Sequence, residues 1–170
     1  MAEHLTILGI DPGPERSAWL TLVDGKPAVF GIDDNDDVVF LVGAEKQPDI
    51  LAIEMIACYG MAVGKSVFET CVWIGRFWEA SNCDVVRIYR KAKWGPTLEW
   101  PGVCMTLCHN NRAKDSNIRQ ALIDRFGPGK DKAIGLKKNP GPLYGIKKDI
   151  WSALAVAVTC WEHWATGRSD

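Results

Sequence analysis

The chain contains no apolar run that reaches the ~18 residues needed to cross a bilayer. Its opening residues, MAEHL, lack the basic-then-apolar order of a secretory signal. These two absences lead us to expect a cytoplasmic protein with no membrane partner. Internal repeats and linkers are also missing, so one domain over residues 1–170 is expected. The cysteines, Cys58, Cys71, Cys83, Cys104, Cys108 and Cys160, are scattered, and several sit in apolar runs. That is the pattern of reduced, mostly buried thiols. Cys104, Cys108 and His109 resemble half of a zinc site, but no second ligand pair follows at a suitable spacing.

Two other motifs fail for want of one residue type. The acidic run Asp33–Asp37 lacks the glycine and glutamate of a calcium loop, with Val38 and Ala44 in those places. It reads instead as a solvated turn capping a helix over residues 38–45. The run from Gly60 to Ser66 lacks the first glycine of a nucleotide phosphate loop, because Tyr59 fills that slot. Lys65 and Ser66 remain candidates for a DNA phosphate at a helix start.

The net charge is only −1, yet it is sorted along the chain. Residues 1–86 carry 5 Lys/Arg against 14 Asp/Glu, whereas residues 87–148 carry 14 against 4. A segment this basic is a candidate phosphate-backbone surface. Within it, Arg90, Lys91, Lys93, Trp94 and Trp100 interleave charge with aromatic rings, as suits a loop that grips nucleic acid. Equally, the two tryptophans would serve to anchor that loop to the core. Arg112, Lys114 and Arg119 lie at the start of a helix over residues 115–126, capped by Asp115 or Ser116 and stopped by Gly127.

Apolar periodicity predicts strands over residues 5–11, 18–23, 28–32, 49–54 and 84–88, with Asp24-Gly25 as a hairpin turn. Helices are expected over residues 65–80, 115–126 and 147–164, and loops over 89–111 and 127–145. The helix over 65–80 is apolar almost all round, so it is either sandwiched in the core or shared with a second subunit; Gly75 would permit close approach. Strands and helices in this order predict a mixed five-stranded sheet flanked by helices, an α/β architecture.

Three buried elements end or begin on a carboxylate. LTILGIDPG ends a strand on Asp11, ILAIE ends another on Glu54, and DIWSALAVAV opens a helix with Asp149 in its first turn. A charge at the end of a buried element is costly unless paired. Adjacent parallel strands would bring Asp11 and Glu54 within reach across about 5 Å of sheet. Several carboxylates converging from separate elements suit hard divalent cations such as Mg²⁺, two of which would promote phosphodiester hydrolysis.

The ordered set GIDPG, AIE and D-x-x-S-A-L-A-V-A, with CHNNRAKDSNIRQAL between the last two, resembles the RuvC family of Holliday junction resolvases in the RNase H-like superfamily. The wording of IEMIACYGMAVGKSVFETCVWIGRF is similar to the phage-borne branch, which would place the protein in a host cytoplasm. The resemblance spans nearly the whole chain. It implies an RNase H-like fold and a homodimeric, Mg²⁺-dependent endonuclease, with Mn²⁺ as a substitute, that cuts branched DNA. It further implies that Asp11, Glu54 and Asp149 are metal ligands. The family's fourth ligand, acidic or sometimes histidine, falls three residues after the third, where this chain has Ser152. His163 cannot take its place, because 14 residues of helix carry it about 21 Å away. Two alternatives stay open: a ribonuclease acting on RNA–DNA hybrids, and a DNA-binding module weakened in catalysis at Ser152.

Overall fold

Alternation within the first strand divides the molecule into two layers. The computed structural model describes residues 4–57, 60–91 and 102–166, the side chains of 165 and 166 excepted. Strand β1 (Thr6–Asp11) is the middle of a five-stranded sheet. It pairs antiparallel with β2 (Arg16–Val23), which pairs antiparallel with β3 (Lys26–Asp34). On its other side β1 pairs parallel with β4 (Ile50–Glu54), and β4 pairs parallel with β5 (Asp84–Ile88). The spatial order is β3-β2-β1-β4-β5.

Leu8 and Ile10 face one core, with Leu51 and Ile53 of β4 and Val38, Val42, Ile74 and Phe77 of helices α1 (Asn35–Val42) and α2 (Lys65–Ala80). Ile7, Leu20, Leu22, Ile50 and Ile88 face the other. That core is closed by α3 (Val103–Cys108), α4 (Asp115–Phe126) and α6 (Ile150–Thr166). Between α4 and α6 the chain forms the short helix α5 (Lys130–Ala133) and a hairpin of β6 (Gly135–Leu136) and β7 (Asn139–Pro140).

Gly9 decides how closely α6 can approach. A Cβ there would lie 2.6 Å from the Ala153 carbonyl oxygen and 2.7 Å from the Ala157 Cβ. Glycine and two alanines thus let the helix rest directly on β1. The close approach carries the start of α6 to the end of β1, where Asp11 sits.

Several sequence expectations need correction. The helix expected over 38–45 begins at Asn35, and β3 runs on to Asp34. The acidic run is solvated and caps the helix as expected, with Asp34 at the cap and Asp36 and Asp37 exposed in the first turn of α1, but its start is strand rather than turn, because β2 supplies donors to Asp33 and Asp34 across the ladder. Trp19 Nε1 donates to Asp33 at 2.6 Å, and Arg16 pairs with Asp34 at 3.2 Å. The segment expected as loop over 89–111 contains α3, too short for a periodic signal but seated on the core through Val103 and Cys104. The loop expected over 127–145 holds α5 and the β6–β7 hairpin. Helix α4 is capped by Lys114 rather than Asp115 or Ser116, and the Asn117 side chain accepts the Lys114 N–H at 3.0 Å. Helix α2 keeps its predicted bounds but is not sandwiched among the described residues. Thr70, Ile74 and Phe77 are buried, while Phe68 and Val72 are 64% and 63% exposed. Gly75 lies on the open side, with nothing within 4 Å of a Cβ, so it serves no close approach here.

Candidate active site

Parallel pairing of β1 with β4 runs through Ile10 opposite Ile53, so Asp11 and Glu54 emerge side by side at the carboxyl ends of neighbouring strands. The turn after Asp11 is pinned from beneath. Ser17 Oγ donates to Asn35 Oδ1 at 2.6 Å, and Asn35 Nδ2 donates to the Gly13 carbonyl at 2.9 Å. The Gly13 N–H donates to Ser17 Oγ at 3.2 Å. Ser17 and Asn35 are buried, and this closed set of bonds satisfies both.

Burial pushes the Asp11 carboxyl up from 3.8 to about 8, helped by the charges of Glu54 and Asp149. Glu54 is also raised by burial, opposed by the nearby Arg90 guanidinium. Asp11 and Glu54 share a hydrogen bond, and the Ser152 hydroxyl bonds Asp11 in the sense that favours its charged form. Two carboxyls this close hold a proton that a cation would displace.

Asp149 sits one position before the first turn, not within it. Its carbonyl oxygen accepts the N–H groups of Ser152 and Ala153 at 2.9 and 3.1 Å, and α6 proper starts at Ile150. From that cap position it is exposed, yet near enough to raise Asp11. Among the described residues no three His, Cys, Asp or Glu side chains are gathered tightly enough to hold an ion as they stand. The oxygen-only donor set and the shared proton nevertheless fit the chemistry of a hard divalent cation. The Cys104, Cys108 and His109 group does not fit zinc, because Cys104 is buried against the Ala113 carbonyl while His109 is exposed.

A cavity of about 360 Å³ opens over the carboxylates, lined by Asp11, Glu54, Met55, Arg90, Asp115 and Ser152. Arg90 forms an ion pair with Asp115, and both residues also line a second cavity beside α6. The expected DNA-contacting residues separate into two groups. Arg90 and Arg119 line the cavities. Lys65, Ser66, Lys91, Arg112 and Lys114 are exposed and do not line them; Lys65 lies 3.4 Å from Glu69 on its own helix. Lys93, Trp94, Trp100 and Cys58 lie outside the described residues. Sequence reasoning missed Asp115, Ser116, Lys148 and Trp151 as cavity residues. Nothing local to their sequence marks them, since only the packing of α4 beside α6 joins them.

No protein-family model matches the sequence, and no curated protein matches it. Solved structures do. A structure of Thermus thermophilus RuvC superposes with a TM-score of 0.67 over 95% of this chain and 96% of that one, at 14% identity. The fold is that of RuvC. A second structure, T. thermophilus RuvC in complex with Holliday junction substrate, gives a TM-score of 0.63 over 96% and 97%, at 16% identity. The five-stranded mixed sheet flanked by helices is therefore the RNase H-like arrangement, and the RuvC-type fold extends through α6, the helix that brings Asp149 and Ser152 to the site.

Proposed function

We propose that this chain is a structure-selective DNA endonuclease that cuts Holliday junctions and other branched DNA with the help of Mg²⁺ or Mn²⁺. The observation that carries the reading is the meeting of Asp11, Glu54, Asp149 and Ser152 at one end of a RuvC-type sheet. Asp11, Glu54 and Asp149 would hold the metal. Two such ions, when bound, supply an activated water and a charge opposite the leaving oxygen. The chain's own part is to keep the carboxylates converged, to steady Asp11 through Ser152, and to set Arg90 where a phosphate would approach. The exposed Lys91, Arg112 and Lys114, with Lys65 and Ser66 at the start of α2, would track the flanking backbone. Similarity of the loop wording to the phage-borne branch suggests a role in phage DNA recombination.

Paired cuts at a two-fold junction call for two sites, so we propose a homodimer joined through the exposed face of α2. A monomer by sedimentation at micromolar concentration, with full junction cutting, would remove that part. One observation favours a weaker activity: Ser152 supplies a hydroxyl where the RuvC pattern has a fourth acidic group or histidine. The deciding assay sets a four-way junction, plain duplex and RNA–DNA hybrid against Mg²⁺ and Mn²⁺. Preferential junction cutting supports the proposal. Cutting of the hybrid alone would make it a ribonuclease, and tight binding without turnover would make it a binding module.

A further inference from the structure

The second cavity, also about 360 Å³, is lined by Arg90, Ser116, Arg119, Lys148, Trp151 and Ser152, with Asp115 and Asp149. We propose that it receives one unstacked nucleotide of the strand being cut, its base against the Arg119 guanidinium and its phosphate against Lys148. This rests on the nuclease reading above and adds to it the conformation of the substrate.

Four observations support the assignment. First, Arg119 lies over the Trp151 ring, 4.6 Å from its centroid. A guanidinium held over an indole can offer its outer side to another planar ring, a grip that suits unpaired nucleobases. Second, Arg90 is engaged by Asp115, whereas Arg119 and Lys148 have no ion-pair partner among the described residues. Lys148 is thereby available to the nucleotide's phosphate and Arg119 to its base. Third, the cavity shares Arg90, Asp115 and Ser152 with the one over Asp11 and Glu54. A strand with one phosphate at the carboxylates would therefore place a neighbouring nucleotide here. Fourth, the volume falls in the range of small-ligand pockets, about 300–1,000 Å³, and suits a single nucleotide rather than a duplex. A base entering it must leave its stack, which costs least where it is already unpaired, as at a strand crossover.

The test is an abasic scan of a four-way junction, with binding measured in Ca²⁺ for the wild type and Arg119→Lys. Lysine keeps the charge but lacks the plane. In the wild type, removing the base at one position beside the crossover should weaken binding about 10-fold. Arg119→Lys should bind the intact junction more weakly and show no further loss at that position, with an unchanged salt slope. Because Arg119 is exposed, the variant should fold as the wild type does. Trp151→Phe, which keeps a ring beneath the guanidinium, should retain part of the base sensitivity. A wild type that binds the junction but tolerates an abasic site everywhere would overturn this inference alone. So would an Arg119→Lys variant that keeps the full 10-fold loss. A wild type that binds no branched DNA would overturn both this inference and the nuclease reading.

Discussion

Replacing Asp11 by asparagine should make the metal-free protein more stable while destroying its proposed activity. Burial and the charges of Glu54 and Asp149 lift the Asp11 carboxyl from 3.8 to about 8. At pH 7 the folded chain therefore holds a proton that the unfolded chain does not. Each pH unit between the unfolded value and 7 costs about 1.4 kcal/mol, so the upper bound is about 4 kcal/mol, and solvent access to the site should bring it nearer about 2 kcal/mol. The sign follows from proton counting. Between about pH 4 and pH 8 the native state binds more protons than the unfolded state, so metal-free stability falls as pH rises through that window and levels off above it. Asparagine carries no such dependence. In a chelator at pH 7, Asp11→Asn should melt about 5 °C or more above the wild type, taking about 2–4 °C per kcal/mol for a chain of this size. At pH 4 the gap should nearly close. Added Mg²⁺ should raise the wild type alone, by about 2.7 kcal/mol at a hundredfold excess over its dissociation constant. The assay is thermal unfolding across pH 4–9 with chelator or Mg²⁺. A variant less stable than the wild type in chelator at pH 7, or a difference that does not change with pH, would refute the reasoning.

Asp149→Asn should abolish junction cutting while binding persists, and Ser152→Ala should cost far less, because it removes one hydrogen bond to Asp11 rather than a charge; cutting rate against Mg²⁺ concentration separates the two. Ser152→Asp, which restores the RuvC pattern, should strengthen metal binding and lower stability in chelator through like-charge repulsion. Gly9→Ala places a methyl 2.6 Å from a backbone oxygen of α6, so it should destabilise by about 1–3 kcal/mol in urea unfolding. It should also slow cutting by pushing Asp149 away from Asp11, since even a shift of about 1 Å can cost about 100-fold. Neutralising Arg112 and Lys114 together should weaken junction binding and reduce the slope of log K against log salt by about 2, with the melting temperature unchanged; an unchanged slope would remove this surface from the DNA path.

Local pattern alone determined a good part of this protein. The bounds of α2, α4 and β5 follow from their apolar periods and breakers, because each buries a stripe or face that its own residues define. The nearness of Asp11 and Glu54 was also legible: two short apolar runs each end on a carboxylate, and parallel neighbours align such ends. Tertiary structure decided the rest. Asn35 reads as a turn residue and Ser17 falls just before the strand expected over 18–23, yet folding joins them into the buried network beneath Asp11. Asp149 moved from the first turn to the cap because Lys148 takes a left-handed backbone angle, φ 49°, that no periodicity encodes. Which face of α2 is buried depended on where α1 and the sheet left room, not on its own nearly uniform apolar surface. The cavity beside the carboxylates unites Arg90, Ser116 and Lys148, residues remote in sequence whose meeting follows from the contact of α6 with Gly9 and the packing of α4 alongside. Periodicity reports what one element buries against its surroundings; a site assembled from element ends is set by how those elements pack on one another.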